Sequence, residues 1–231
     1  MLTVTELALM IDHSILLPTM TDDDLVKGID IAKQYGTICV VPKAYQIPRA
    51  RKLLGDSPVR LCAPISFPQG LNAPEVKRAE ADWALREGAV ELDVVINVSA
   101  LKSREYDFVL RDIRGVVEAA RPYHAPVKVI LEACLLTDEE KVAACQLAER
   151  AGANFVKTST QTQPGGATVE DIRLMRATVG PEVVVKASGY ITDIEKTMAL
   201  YEAGARRFGT GYTVAILEGL RARIEAGNAA G

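Results

Sequence analysis

Two lysines in this chain stand where a lysine costs most. Lys157 closes the apolar run of NFVKTST (154–160), and Lys186 interrupts the β-branched run of VVVKASG (183–189). Lysine is among the residues least often fully buried, so two such placements need a chemical reason. Side chains alternate between the faces of an extended segment, which groups Phe155, Lys157 and Ser159 in one run and Val184, Lys186 and Ser188 in the other. On neighbouring strands, about 4.8 Å apart, the two amines lie within several ångströms of each other. A like charge and an apolar surround each disfavour the ammonium form and draw a lysine's pKa toward neutrality. The neutral amine is the form that attacks a carbonyl. Asp93, in VELDVVIN (90–97), supplies a carboxylate on the far side of the same mouth that can move protons. The plainer alternative is that each lysine runs from a strand end into solvent and neutralises Asp93 or Glu132. Two lysines facing one carboxylate favour the chemical reading, while leaving an aldolase only somewhat ahead of other imine chemistry.

Such an arrangement needs a scaffold that aims strand ends at one place. Eight β-rich runs, at 10–15, 37–42, 59–66, 90–97, 127–133, 154–159, 183–188 and 206–211, alternate with amphipathic helical stretches. Several are nearly continuous in Val, Ile and Leu, as parallel strands covered on both faces are. EGAVELDVV, AGANFVKTS and AGARRFGTG share one pattern of helix end, Gly-Ala and strand, with Gly88, Gly152 and Gly204 where a helix C′ glycine belongs. Thr137 with Glu140 three residues on reads as a capping box. Eight βα units predict a closed (β/α)8 barrel, a single domain over 1–231 with an Ala/Gly-rich tail frayed from about residue 226. An open doubly wound sheet is the rival, but no GxGxxG follows an early strand. In such a barrel the active site lies at the C-terminal strand ends, where Asp93, Lys157 and Lys186 fall.

Composition narrows the partners. The chain has 231 residues and a formal net charge of −3, which gives no electrostatic reason to expect nucleic acid or an anionic membrane. No apolar run approaches the roughly 20 residues of a membrane helix, and the start lacks a basic region and a small-residue cleavage site, so a cytoplasmic location is expected. Cys39, Cys62, Cys134 and Cys145 are scattered, without a CxxC pair, and read as buried reduced thiols. Only His13 and His124 are present, which leaves little for a histidine-rich metal site, so no metal or cofactor is expected. His13 reads as a hydrogen-bonding group near the mouth, Trp83 as a packing residue against the barrel, and Glu132 as an ion-pair partner of an inward lysine.

With these residues in place, the sequence resembles the deoxyribose-phosphate aldolase family, the class I aldolases that join acetaldehyde to glyceraldehyde 3-phosphate. The resemblance runs over nearly the whole chain, through IDHSILLP, ICVVPKAY, SFPQG, ELDVVINVSAL, KVILEACLLTDEEK, FVKTST, VVKASG and AGARRFGTG. It implies that Lys157 is the Schiff-base nucleophile, Lys186 the lysine that perturbs it, and Asp93 the acid/base relay. It further implies substrate-binding roles for Asp12 and Ser14, the latter in place of the family's threonine, and for Thr158, Ser188, Gly189, Gly209 and Gly211. The implied partner is a small aldehyde or sugar phosphate, with a homodimer left open.

Three turns depart from the family pattern. Gln161-Thr162 follows FVKTST where Gly-Phe or Gly-Lys is common, Tyr190 and Thr192 replace a glycine and an arginine after KASG, and Gly211-Tyr212 replaces a serine pair. Either the tyrosines point outward and the backbone still binds phosphate, or the acceptor is an unphosphorylated or differently shaped aldehyde. A different imine-forming lyase and a non-catalytic binding barrel complete the alternatives.

Overall fold

The computed structural model describes residues 2–229. Eight parallel strands close into a barrel in chain order, each paired with the next and the last with the first. They are β1 (Ile11–Ile15), β2 (Cys39–Pro42), β3 (Arg60–Ile65), β4 (Glu91–Val95), β5 (Val127–Ile130), β6 (Phe155–Lys157), β7 (Val184–Ser188) and β8 (Arg207–Thr210). Helices lie between successive strands, which makes this the (β/α)8 architecture.

The helix boundaries follow local chemistry. Thr137 and Glu140 form the reciprocal cap that starts helix Asp138–Ala151, and Thr21 with Asp24 does the same for Asp22–Tyr35. Both helices end on a left-handed glycine, Gly152 and Gly36. The Ala/Gly-rich end is helical through Ala229, and residues 230 and 231 lie outside the described part.

Strands β3, β4, β5, β6 and β8 end one to three residues before the apolar runs do, whereas β1, β2 and β7 end with them. After Lys157, the chain leaves the ladder because its next residues bond across to other turns: Ala133 N–H donates to Thr158 O, and Thr160 N–H to the Glu132 carboxylate. Residues beyond the ladder therefore become the walls of the mouth.

The two faces of the barrel wall do different work. On the outer face, Val127, Val129, Val156, Val185 and Phe208 are buried in the apolar layer between sheet and helices, and this layer carries the hydrophobic stabilisation. The inner face is charged on β1 and on β4 through β8, while Cys39, Val41 and Cys62 of β2 and β3 form a small apolar cluster there. Register places Asp93 beside Lys128, Lys157 beside Lys186, and Lys186 beside Arg207.

Candidate active site

Inside the barrel, six charged side chains alternate in a closed ring. Asp93 accepts from Lys186 (2.8 Å), Lys186 also bonds Asp12, and Asp12 accepts from Arg207 Nε (2.6 Å). Arg207 Nη2 bonds Glu91 Oε2 (2.7 Å), Glu91 Oε2 bonds Lys128 Nζ (2.7 Å), and Lys128 returns to Asp93 Oδ1 (2.9 Å). All six are buried. The Phe155 ring lies beneath two of the cations, with Lys128 Nζ and the Arg207 guanidinium each 5.7 Å from its centroid.

Lys157 is a seventh group, outside the ring. Its Nζ sits 2.6 Å from Asp93 Oδ2, the same oxygen that Lys186 bonds. Three carboxylates already balance Lys128, Lys186 and Arg207, so a proton on Lys157 adds an uncompensated charge to a buried cluster. (Arg60 also reaches Glu91, at 3.1 Å, but its side chain is half exposed.) Burial pushes the Lys157 pKa down, Asp93 pulls it up, and Lys186 pushes it down again, with a net fall. For Lys186 the order of forces is the same but the outcome opposite: burial lowers it, and Asp12 with Asp93 outweigh burial and raise it. Burial alone raises Asp93, yet Lys128, Lys157 and Lys186 hold it well below the usual carboxylate range. Burial alone raises Asp12 as well, but Lys186, Arg207 and Lys128 hold it at about 2. The ring therefore stays ionised, and Lys157 is the amine that sheds its proton first.

Lys157 is also the one charged residue of this cluster that reaches open space. It lines a cavity of about 280 Å³ at the C-terminal strand ends. Ser14, Ser188, Gly189, Gly209 and Gly211, all named through the resemblance, line the same cavity. Gly209 occupies an inward position on β8, where a Cβ would meet Ser188 Cβ at 3.0 Å and Lys186 Cε at 3.3 Å. Its missing side chain keeps the approach to the lysines open.

Two predicted binding residues lie elsewhere. Asp12 is wholly buried and spends its carboxylate on Lys186 and Arg207. Thr158 is wholly buried too; its hydroxyl donates to Ser188 O (2.9 Å) and accepts from Ser188 N–H (3.0 Å), tying β6 to β7. Asp93 does not stand across the mouth from the lysines but contacts both, because the centre of an eight-stranded barrel is narrow enough for opposed side chains to meet.

Other expectations need correcting. Glu132 pairs with no lysine: its backbone is left-handed (φ 54°), and its carboxylate accepts from the amide and hydroxyl of Thr160. Burial raises its pKa against those hydrogen bonds. His13 sits on the outer face of β1, bonded to Thr213 Oγ1 at 2.8 Å, and burial lowers its pKa to about 4. Cys134 is exposed in a turn after β5, whereas the other three cysteines are buried and free. Trp83 is 40% exposed on its helix rather than packed on the barrel. Of the two tyrosines, Tyr212 lines the cavity and Tyr190 does not. Tyr190 is left-handed (φ 53°), and its hydroxyl reaches the Gln163 carbonyl at 3.3 Å, over the 161–168 loop.

Glu91, Lys128 and Arg207 were missed by the motif reading. The signal was available for Glu91 and Lys128, charged residues at inward, alternate positions of largely apolar runs, but not for Arg207, which follows Arg206 in a polar stretch. Ser159 was also passed over as a binding residue; it lines the cavity, and its buried hydroxyl has no partner. Asp12, Cys39 and Glu91 bring donor atoms within 4.8 Å of one another, the one grouping of metal-ligand type found among the described residues. Arg207 and Lys128 already occupy its carboxylates, and burial raises the Cys39 thiol well above its ordinary value, so the trio is a poor cation site. Among the described residues no helix is long and apolar enough to cross a membrane.

Comparison with known proteins gives one consistent answer. The sequence model described as the DeoC/LacD family aldolase matches residues 6–231. An Enterococcus faecalis protein named deoxyribose-phosphate aldolase is 53% identical over 214 residues, covering 93% of this chain and 97% of its own. A Thermococcus gammatolerans protein of the same name is 50% identical over 218 residues, covering 94% and 97%. The solved structure of the Aeropyrum pernix deoxyribose phosphate aldolase, titled as a unique tetramer, superposes with a TM-score of 0.89 at 34% identity, covering 95% of this chain and 92% of that one.

Proposed function

We propose, given that this chain belongs to the DeoC/LacD aldolase family, that it is an aldehyde-lyase working through a Schiff base on Lys157. The reaction is the reversible addition of acetaldehyde to glyceraldehyde 3-phosphate or a related aldehyde. The names of the relatives support the reaction class. The observation that carries the mechanism is the charge ring: it is balanced without Lys157, so the one amine facing the cavity is the one whose protonated form burial and Lys186 disfavour.

Each step uses a group already placed. The Lys157 lone pair adds to the acetaldehyde carbonyl, and the carbinolamine loses water to leave an iminium. The iminium withdraws electrons from its α-carbon, whose proton leaves toward the Asp93 carboxylate through ordered water. Asp93 suits the task because two ring cations and Lys157 fix its position and keep it ionised. The resulting enamine attacks the acceptor aldehyde, forming the carbon–carbon bond, and hydrolysis of the new iminium returns Lys157 as the amine. Lys186 does not touch the cavity; it acts on Lys157 by charge and by holding Asp93.

Borohydride reduction in the presence of acetaldehyde tests this reading. The expected result is a gain of one ethyl group on Lys157, absent from the Lys157→Ala variant. A protein that turns over substrate with no such adduct rules the Schiff base out, and one with neither adduct nor turnover favours a non-catalytic barrel.

A further inference from the structure

The half of the cavity beyond Lys157 carries no positive charge. The three turns that close it, residues 158–168, 189–193 and 211–212, hold no lysine or arginine and one aspartate. Lys196, in the first turn of the helix after β7, is engaged by the Tyr190 carbonyl at 2.9 Å. Lys43, in a neighbouring hollow, donates to Met20 O at 2.7 Å. Glu132, which does not line the cavity, turns its carboxyl group onto Thr160 of the 158–162 turn.

Some backbone donors at these turns are spent as well. Thr160 N–H goes to Glu132, Thr162 N–H to Thr160 Oγ1 (3.2 Å), Ser188 N–H to Thr158 Oγ1, and Tyr212 N–H to Thr210 Oγ1 (2.9 Å). Single amides such as Gly189 and Gly211 remain. A phosphate dianion stripped of water in this space meets no cationic side chain from these turns, and desolvating an uncompensated charge is among the costliest events in a protein interior. The opposite wall is apolar, built from Leu17, Met20, Phe67 and the Tyr212 ring. One buried polar side chain on the cavity is left without a partner, and it is neutral: Ser159 Oγ.

We propose that the acceptor half of the cavity takes an uncharged hydroxyaldehyde, with Ser159 receiving its hydroxyl and Tyr212 walling the space where a charged tail would sit. This deepens the aldolase reading and rests on it. A buried hydroxyl that the substrate must satisfy discriminates strongly, since an acceptor lacking the group leaves Ser159 unpaired. The open, apolar side tolerates chain length instead.

Acceptor competition with the full-length enzyme decides the matter. With acetaldehyde as donor, kcat/KM for D-glyceraldehyde is expected to equal or exceed that for glyceraldehyde 3-phosphate, and inorganic phosphate at tens of millimolar is expected not to compete. A preference for the phosphate ester of more than about tenfold overturns the proposal. Ser159→Ala is expected to lower kcat/KM about tenfold for glyceraldehyde and little for propanal; an equal loss on both removes Ser159 from the acceptor site. The wild-type comparison stands even if that variant fails to fold. Borohydride trapping of acetaldehyde, which needs no acceptor, separates the two failures: an intact Lys157 adduct with a strong phosphate preference sinks this proposal alone, whereas no adduct sinks the Schiff-base reading beneath it.

Discussion

Replacing Lys186 with methionine removes one cation from the ring while keeping most of the buried volume. Lys157 and Lys186 bond the same carboxylate oxygen, at 2.6 and 2.8 Å, so their nitrogens lie no more than 5.4 Å apart. At an effective dielectric of about 20, two like charges at that distance repel by about 3 kcal/mol, which is about two pKa units on Lys157. Charge balance pushes the same way: without Lys186, three carboxylates face Lys128 and Arg207, and a proton on Lys157 restores neutrality. The sign is therefore upward. The assay is kcat/KM for the cleavage direction from about pH 5 to 10, where the acid limb reports the group that must be unprotonated in free enzyme. That limb is expected to rise by one to two units in Lys186→Met, with kcat falling where Lys157 is protonated. Lys186→Arg, which keeps the charge, is expected to hold the limb near its wild-type position even with a lower kcat. Thermal melts establish that both variants fold. An acid limb unmoved in a folded Lys186→Met enzyme refutes the electrostatic account of how Lys157 becomes nucleophilic.

Three further outcomes follow from groups outside the reacting centre. Lys77 is buried between helices and bonds Asp112 Oδ2 and the Val95 carbonyl (3.0 Å) at the end of β4; Lys77→Met is expected to cost about 3–5 kcal/mol in urea unfolding, because Asp112 is left unpaired. The double variant Lys77→Met/Asp112→Leu is expected to recover most of that loss, and failure to recover places the cost in Val95 rather than in the pair. Thr158→Val strands the N–H of Ser188, whose carbonyl keeps the Ala167 N–H, an expected loss of about 1–3 kcal/mol by the same measurement. His13 has a folded pKa of about 4 against an ordinary 6.5, so the unfolded chain takes up its proton first as pH falls. Its contribution, about 3 kcal/mol, is present above pH 6.5 and lost progressively down to about pH 4. His13→Asn, which keeps a partner for Thr213, is expected to flatten the stability profile over that window relative to wild type; an unchanged slope shows that His13 is protonated in the folded state.

The lysines were legible because a charge inside an apolar run is costly enough to require a reason. Lys157, Lys186 and Asp93 stand out by that test alone, and the strand spacing that predicts a barrel also predicts where they converge. Capping chemistry was legible for a similar reason: Thr137 and Glu140 satisfy each other's backbone within four residues, with no help from the rest of the fold. Pairings were not legible. That Asp93 touches both lysines, that Asp12 turns inward to Arg207, and that Glu132 caps a turn instead of meeting a lysine all depend on contacts between distant strands.

The two tyrosines make the same distinction in miniature. Tyr190 and Tyr212 each follow a glycine after a strand, and nothing in their neighbours separates them. A left-handed backbone turns Tyr190 onto the 161–168 loop, while Tyr212 stays on the cavity wall. From the sequence came the period-two alternation, the cost of burying charge and the local caps, since each of these acts over a few residues. Which charges meet, and so which lysine is left without a counter-charge of its own, was decided by closing the barrel. Closure sets side chains from six strands against one another at 2.6 to 2.9 Å, and electrostatic energy at that range outweighs any preference written in local sequence.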